Sequence, residues 1–400
     1  MKNVIVFDDP SIRENLLPLT FTRPISLIRI GILTIADKWK FRIRDAVFSP
    51  LTEPYLSPKF PVICEDVNYF VAGNVIPSKE LADTILKLKE GDALFFKEKM
   101  IAFYGSMDDF KNQKFKRSLF LKAEPLSIYW LYDIFMLNDK ALYDDFKLLT
   151  KGRKSQNLSP TNHLIGDHEF EDGSSKIFIE EGASIEGVVL NVTNGPIYIG
   201  RNAIIMEGSC IRAPFAACHN SQVNMGTKIY GATTLGPFCK VGGELNNVVM
   251  FGYSNKAHEG FLGNAVIGEW CNLGGGTTAS NLKNDYSEIK LWNYPAHKFL
   301  KTGLQFCGLI MGDHSKAGIN SMFNTATVIG VGVNIHGSGF PRNFVASFSE
   351  GSTAGYTDVS LPKFFAIAER VMERRHVTLT DLDKDIFHKI YSVAEGYKQA

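Results

Sequence analysis

In the stretch IGRNAIIMEGSCIRAPFAACHNSQVNMGTKIYGATTLGPFCKVG (199–242) an apolar residue returns at every sixth position: Ile199, Ile205, Ile211, Ala217, Val223, Ile229, Leu235 and Val241. The phase slips and resumes at Val249, Phe261, Ile267 and Leu273, with Asn255 as the one polar member, and a third run follows at Met311, Ala317, Phe323, Ile329 and Ile335. Glycine often comes next, as in Ile199-Gly200, Leu235-Gly236 and Met311-Gly312. A period of six is no multiple of the helical 3.6, so these hexads are short strands joined by turns, each with one residue pointing inward. One hexad cannot bury its inward residue alone. Stacked coils bury a continuous column, and the pattern predicts a parallel β-helix.

Glycine usage separates this region from what precedes it. Of 35 glycines, 27 fall between Ile165 and Val345 and only five precede Thr161. In the first part, strands at 4–7, 62–63, 69–71, 93–96 and 100–104 alternate with helices at 30–39 and 78–88 and a helical pair at 129–149. That alternation predicts an α/β domain with an open sheet. The polar run KGRKSQNLSPTN (151–162) reads as a linker. The expected division is 1–150, a linker at 151–162, a β-helix at 163–348 and a helical extension at 349–400. In the extension, Phe364, Ile367 and Val371 share one face, and Thr380 with Asp383 forms a capping box. Residues 274–302 leave the hexad register, as expected of a loop on one face of a repeat array.

A net charge of +1 leaves no electrostatic footprint for nucleic acid or a membrane surface. No apolar run approaches membrane-spanning length, and the start MKNVIVFDDP is too acidic for a signal peptide. The six cysteines form no C-x-x-C pair and read as reduced, packed residues of a cytoplasmic protein.

The densest polar cluster is GYSNKAHEGFLG (252–263), which gathers Ser254, Asn255, Lys256, His258 and Glu259 in one coil. Imidazole accepts a proton at neutral pH, so His258 is the candidate general base, and Lys256 is a candidate point charge for a phosphate. With NLGGGTTASNLKND (272–285), this cluster resembles the acetyltransferase half of the bifunctional N-acetylglucosamine-1-phosphate uridyltransferase / glucosamine-1-phosphate N-acetyltransferase family. A variant branch of that family is similar over nearly the whole chain, through LLPLTFTRP (16–24), GGE (242–244), SNKAHEGFLG (254–263), GEWCNLG (268–274), SNLKN (280–284) and MGDHSK (311–316).

The resemblance implies a nucleotidyltransferase-like α/β domain, a left-handed β-helix, a homotrimer, and acetyl-CoA bound between subunits. It implies that His258 takes the proton of a sugar amine attacking the thioester, with Asn255, Lys256 and Asn281 placing the sugar phosphate and His314 and Lys316 meeting the coenzyme. Phe261 stands where the family has tyrosine. In the first domain the family's Gly-rich phosphate loop is missing, since the first glycine is Gly31. Arg13 and Arg23 are then the candidates for nucleotide triphosphate contacts, and Gly73-Asn74 for the place of a Mg²⁺ ligand. The expected activity is bifunctional synthesis of a nucleotide-activated N-acetyl sugar from a sugar phosphate, UTP and acetyl-CoA. The alternatives are a single-activity enzyme, such as a glucose-1-phosphate thymidylyltransferase, or a non-catalytic trimeric solenoid.

Overall fold

The computed structural model describes residues 2–398. The chain divides into two compact units, 1–28 with 33–130, and 29–32 with 131–400. This boundary falls before the one expected at 150. The helices Asp133–Met136 and Asn138–Thr150 belong with the β-helix, because Asn138 and Asp145 are buried in it. Asn138 donates to the Ala232 carbonyl at 2.7 Å and accepts from the Gly31 amide at 2.7 Å, while Asp145 accepts from the Ile32 amide at 2.8 Å.

The first unit is a six-stranded sheet of β1 (Lys2–Phe7), β2 (Ala46–Leu51), β3 (Asn68–Ala72), β4 (Asp92–Phe96), β5 (Lys99–Gly105) and β6 (Arg117–Phe120), in the order β2-β1-β3-β5-β4-β6. Around it lie α1 (Pro10–Asn15), α2 (Ile35–Arg42), α3 (Lys79–Ile85) and α4 (Met107–Lys111). The expected strand at 62–63 is extended chain outside the sheet, and β2 was not foreseen: half-buried, with a proline, it lacks a clean alternation. Helix α1 was also missed. Asp9 is its N-cap and accepts from the amides of Ser11 at 2.9 Å and Ile12 at 3.3 Å. Strand β1 pairs in parallel with β2 on one side and β3 on the other. The winding therefore reverses at β1, which puts the crevice of this sheet at the carboxyl ends of β1 and β3.

The second unit is a left-handed parallel β-helix, three short strands to a coil. Its inward columns can be followed residue by residue. Ile199 pairs with Ala217, Leu235, Met250, Ile267, Met311, Ile329 and Val345 in successive coils. Ile205 leads to Val223, Val241, Lys256, Leu273, Ala317 and Ile335, and Ile211 to Ile229, Leu245, Leu262, Ala279 and Phe323. The first and third runs read from sequence match these columns. The middle run matches at Ile267 and Leu273 but not before them: Met250, Lys256 and Leu262 point inward, one place beyond Val249, Asn255 and Phe261. The cause is shortened corners, at Val241 to Leu245 and then at Leu245 to Met250 and Leu262 to Ile267, where a turn is absorbed into the long strands Glu244–Gly252 and Phe261–Glu269. With a period of six, one missing turn residue changes which side chain faces the core.

The off-register segment is also shorter than expected. Thr278–Ala279 still pairs with the coils on both sides, so the excursion begins after Ser280 and carries the antiparallel hairpin Lys290–Asn293 and Lys298–Lys301. The expected linker already belongs to the array, since Gln156 donates its amide to the Ile179 carbonyl at 2.8 Å. At the other end, Ser349–Ser352 and Gly355–Asp358 finish a sheet, so the helical part begins with α7 (Leu361–Glu373) and α8 (Asp381–Ala394). Asp133–Met136 and Asn138–Thr150 are α5 and α6. The Thr380–Asp383 capping box of α8 is present.

One corner of the β-helix explains how α7 and α8 are held. Asn202, Asn220, Phe238, Tyr253, Trp270, His314 and Phe348 occupy equivalent turns in left-handed conformation, φ +54° to +63°. Such φ values cost a non-glycine residue about 1–2 kcal/mol each. The side chains recover much of it by stacking, with ring centroids 5.0 Å apart for Phe238–Tyr253, 4.1 Å for Tyr253–Trp270 and 6.0 Å for Trp270–His314. Phe364 of α7 and Phe387 of α8 set their edges on His314 at 5.6 and 5.3 Å. The helices thus lie along this corner rather than only over the open end.

Candidate functional site

The carboxyl-end crevice of the first unit is filled by its own chain. Asp8, just past β1, accepts from Arg13 at 3.2 Å, from the Thr52 hydroxyl at 2.6 Å and from the Ile25 amide at 2.9 Å. Burial pushes its carboxyl pKa upward, against the lowering by Arg13. Arg13 is 4% exposed. Its guanidinium donates to the carbonyls of Thr20 and Arg23 and to the Tyr55 hydroxyl, so it fastens the LLPLTFTRP loop from inside and is not displayed to a phosphate. Arg23 is buried too, with one nitrogen 3.4 Å from the Leu19 carbonyl. Pro24 is followed by the buried Ile25.

Asn74 is buried and clasps the chain at Ile128, donating to its carbonyl at 3.1 Å and accepting from its amide through the backbone at 3.0 Å. A Cβ on Gly73 would lie 3.3 Å from the Asp8 carboxylate and 3.5 Å from the Ser26 amide, which shows how closely the loop packs. Asp8, already accepting from three donors, does not fit a Mg²⁺ ligand, and among the described residues no group of three or more His, Cys, Asp or Glu could hold a metal.

The corner that carries His258 is different. Its turn lies between two glycine turns, Gly242-Gly243 in the preceding coil and Gly274-Gly275-Gly276 in the next. Gly243 has φ +76°, and a Cβ there would come within 2.9 Å of the His258 carbonyl, so only glycine allows this stacking. On the other side the imidazole rests over Gly275, whose added Cβ would sit 3.6–3.8 Å from it. His258 is exposed, and among the described residues nothing accepts from or donates to its ring.

The other expected site residues are dispersed. Lys256 turns into the core, 1% exposed, and donates to the carbonyls of His258 at 2.9 Å and Gly242 at 3.2 Å, so it is not placed to meet a phosphate. Burial lowers its pKa to about 8. Asn255 faces outward, where Arg375 donates to it at 3.3 Å. Asn281 lies at the next corner and donates to Asn264 at 2.8 Å.

His314, expected at the coenzyme, is buried in the aromatic corner under α7 and α8. Lys316 bonds back to the carbonyls of Trp270 at 2.8 Å and His314 at 2.9 Å, and burial lowers its pKa to about 8. Beside Asn281 is a cleft of about 480 Å³ lined by Ser280, Lys283, Asp285, Asn324, Thr325 and Asn343. Asn324 and Asn343 escaped the sequence reading because they come from later coils, and only the register between coils brings them to this corner.

Residues 4–154 match the family of sugar nucleotidyl transferases. The bifunctional protein GlmU of Synechococcus elongatus is 25% identical over 220 residues, covering 51% of this chain and 44% of that protein. The GlmU of Acaryochloris marina is 25% identical over 180 residues, covering 44% and 32%, and that of Wolbachia pipientis 24% over 173 residues, covering 38% and 40%. The chain thus spans less than half the length of these curated relatives. An Arabidopsis UDP-N-acetylglucosamine acyltransferase superposes with a TM-score of 0.23 at 10% identity, over 53% of this chain and 77% of that one, a likeness too slight to bear on the fold. Fold and matches give a domain similar to sugar nucleotidyl transferases followed by a hexapeptide β-helix. The curated relatives that part of the chain resembles are GlmU proteins. Among the described residues, no helix is long and apolar enough to cross a membrane.

Proposed function

We propose that the β-helix transfers an acetyl group from acetyl-CoA to the amine of a hexosamine 1-phosphate, with His258 as general base. The observation that carries this is the unpartnered, exposed imidazole on a floor of bare glycine backbone. The amine nitrogen attacks the thioester carbonyl carbon while His258 takes its proton, the carbon–sulfur bond breaks, and the imidazolium returns the proton to the departing thiolate. In the turn under the ring the amides of Gly274 and Gly276 are bonded to the Ala317 and Glu259 carbonyls, which leaves the Gly275 amide as the donor offered to the transient oxyanion. Asn281 and the cleft beside it offer amide and hydroxyl groups for a sugar. A homotrimer would close this site from outside, and the exposed Met225 and Ile319, at turns of other coils, are apolar surface such a neighbour would cover.

For the first unit, the match to sugar nucleotidyl transferases supports transfer of a nucleotidyl group from UTP to a sugar 1-phosphate, giving bifunctional synthesis of a nucleotide-activated N-acetyl sugar. The filled crevice at Asp8 and Gly73 favours the second reading, a single-activity acetyltransferase. Two assays separate them: thiol release from acetyl-CoA with glucosamine 1-phosphate, and pyrophosphate release from UTP or dTTP with sugar 1-phosphates. Silence in the first assay overturns the acetyltransferase. Silence in the second alone leaves the single-activity reading, and silence in both leaves a non-catalytic solenoid.

A further inference from the structure

Lys256 is the one charged residue in an inward column otherwise built of Ile205, Val223, Val241, Leu273, Ala317 and Ile335. A buried charge is retained only where something compensates its lost hydration. Here the compensation comes from carbonyl dipoles: the ammonium donates to His258 in its own coil and to Gly242 in the coil before. The Lys256 carbonyl in turn accepts from the Gly242 amide at 2.8 Å. The lysine is therefore tied to Gly242 from both ends and, through the ammonium, pulls the carbonyl of His258 toward the core. The turn is tied to its neighbours as well, the Gly260 carbonyl accepting from the Glu244 amide at 3.1 Å, the Glu259 carbonyl from the Gly276 amide at 3.0 Å and the Ala257 carbonyl from Asn224 at 2.6 Å, but the His258 carbonyl is held from the core side by the ammonium.

We infer that Lys256 is the positioning residue of His258, an internal brace that fixes the direction of the turn presenting the imidazole and so the placement of the base against its substrate. The inference rests on the reading of His258 as the base, but the brace itself has a consequence independent of catalysis. Without the ammonium, the turn 257–260 keeps its glycine neighbours and loses its inward tie. The imidazole then samples several positions over Gly275 while the surrounding coils stay in place. A misplacement of about 1 Å at a reacting group lowers rate by roughly a hundredfold without removing a binding contact.

The test compares Lys256→Met, which fills the same space without a donor, with Lys256→Gln, which keeps a shorter, uncharged donor, in the full chain. The Met variant is expected to lower kcat for acetyl transfer about ten- to hundredfold with both KM values within about twofold, and the Gln variant to fall between. With ¹³C-labelled histidine, the His258 ring resonance is expected to broaden or split in the Met variant while those of His219 and His336 stay unchanged. A wild-type kcat, a parallel rise in KM, or an unaltered His258 resonance overturns the inference. Unfolding of both variants does so as well, because the lysine would then hold the whole coil and not the turn. If the wild-type protein releases no thiol, the base reading falls, and the ring resonance still decides whether Lys256 is a brace.

Discussion

At the carboxyl ends of β1 and β3, a carboxylate, a buried guanidinium, an amide and a hydroxyl meet in the crevice where an α/β sheet ordinarily receives its ligand. Asp8 takes Arg13, Thr52 and the Ile25 amide, and Arg13 takes the loop carbonyls, so these groups are spent on the chain itself. At the glycine corner of the β-helix, Lys256 is also spent on carbonyls, yet His258 stands outside with its ring unengaged. Both places are rich in charged residues. The difference lies in burial and valence: where each donor already has an acceptor, charge is serving the fold, and a single unengaged titratable group is the better mark of chemistry.

The largest effect that could break this contrast is at His258. His258→Ala is expected to lower acetyl transfer by about 10²- to 10⁴-fold, the usual share of a general base, with unfolding by urea unchanged within about 0.5 kcal/mol because the ring is exposed. Thiol release measured beside a denaturation curve checks both, and any nucleotidyl transfer should be untouched. Retention of the acetylation rate would put His258 back among solvated turn residues and leave the two regions alike.

The opposite pattern is expected at Arg13. Arg13→Met leaves Asp8 buried without its cation, and removal of one partner of a buried pair destabilises by about 3–5 kcal/mol. Urea melts followed by circular dichroism should show that loss directly. A protein of unchanged stability that loses only pyrophosphate release would mean that Arg13 faces a phosphate after all.

What could be read from sequence divides along the same line. The inward columns at Ile199–Val241 and Met311–Ile335 were legible because a period of six with an apolar residue in phase has one physical solution, and the capping box of α8 was legible because it is local. The coils from Met250 to Leu262 were not, since trimmed corners shift the phase without any mark in composition, and the reading regained the column only at Ile267. That shift exchanged Asn255 for Lys256, and with it a surface residue for a brace. The arginines misled for another reason. Whether a guanidinium points at a phosphate or at its own carbonyls depends on a loop path that TRP at 22–24 does not disclose. His258 stood out in the sequence by residue type and surroundings, and the structure adds that its ring is exposed and, among the described residues, without a partner.

A smaller effect sharpens the role of Lys256. Its pKa falls from 10.5 to about 8 on burial. Between those two values the native state has lost the proton and the unfolded chain still holds it, so this residue's contribution to stability rises with pH through that window and is complete above it. The full change is roughly 3 kcal/mol at most. Wild-type stability alone would not reveal it, because Lys316 acts the same way and the thiols of Cys239, Cys271 and Cys307, pushed up to about 12, act in the opposite sense above 9. The difference between wild type and Lys256→Met cancels those shared groups. Wild type should gain on the variant from pH 8 to 10.5, and a flat difference would mean that Lys256 is hydrated in the native protein.

The smallest effect tests whether the aromatic corner belongs with the spent groups or with the unengaged one. His314 was expected at the coenzyme on the strength of MGDHSK, yet its ring continues the stack from Trp270 and receives the edges of Phe364 and Phe387. If packing is its work, an aromatic ring of similar size should replace it. His314→Phe is then expected to keep stability within about 1.5 kcal/mol, the range for volume-conserving swaps, and to leave the KM for acetyl-CoA unchanged. Trp270→Ala in the same stack should instead lose about 3–5 kcal/mol, since it removes the middle of the column and leaves a cavity. The pair matters because a coenzyme contact and a packing contact differ in what they tolerate. A ring nitrogen that met a phosphate or an adenine could not be exchanged for carbon without a rise in KM, whereas a ring that only fills space and holds α7 and α8 against the corner can. A several-fold rise in KM in His314→Phe at unchanged stability would move His314 out of the packing and into the binding site.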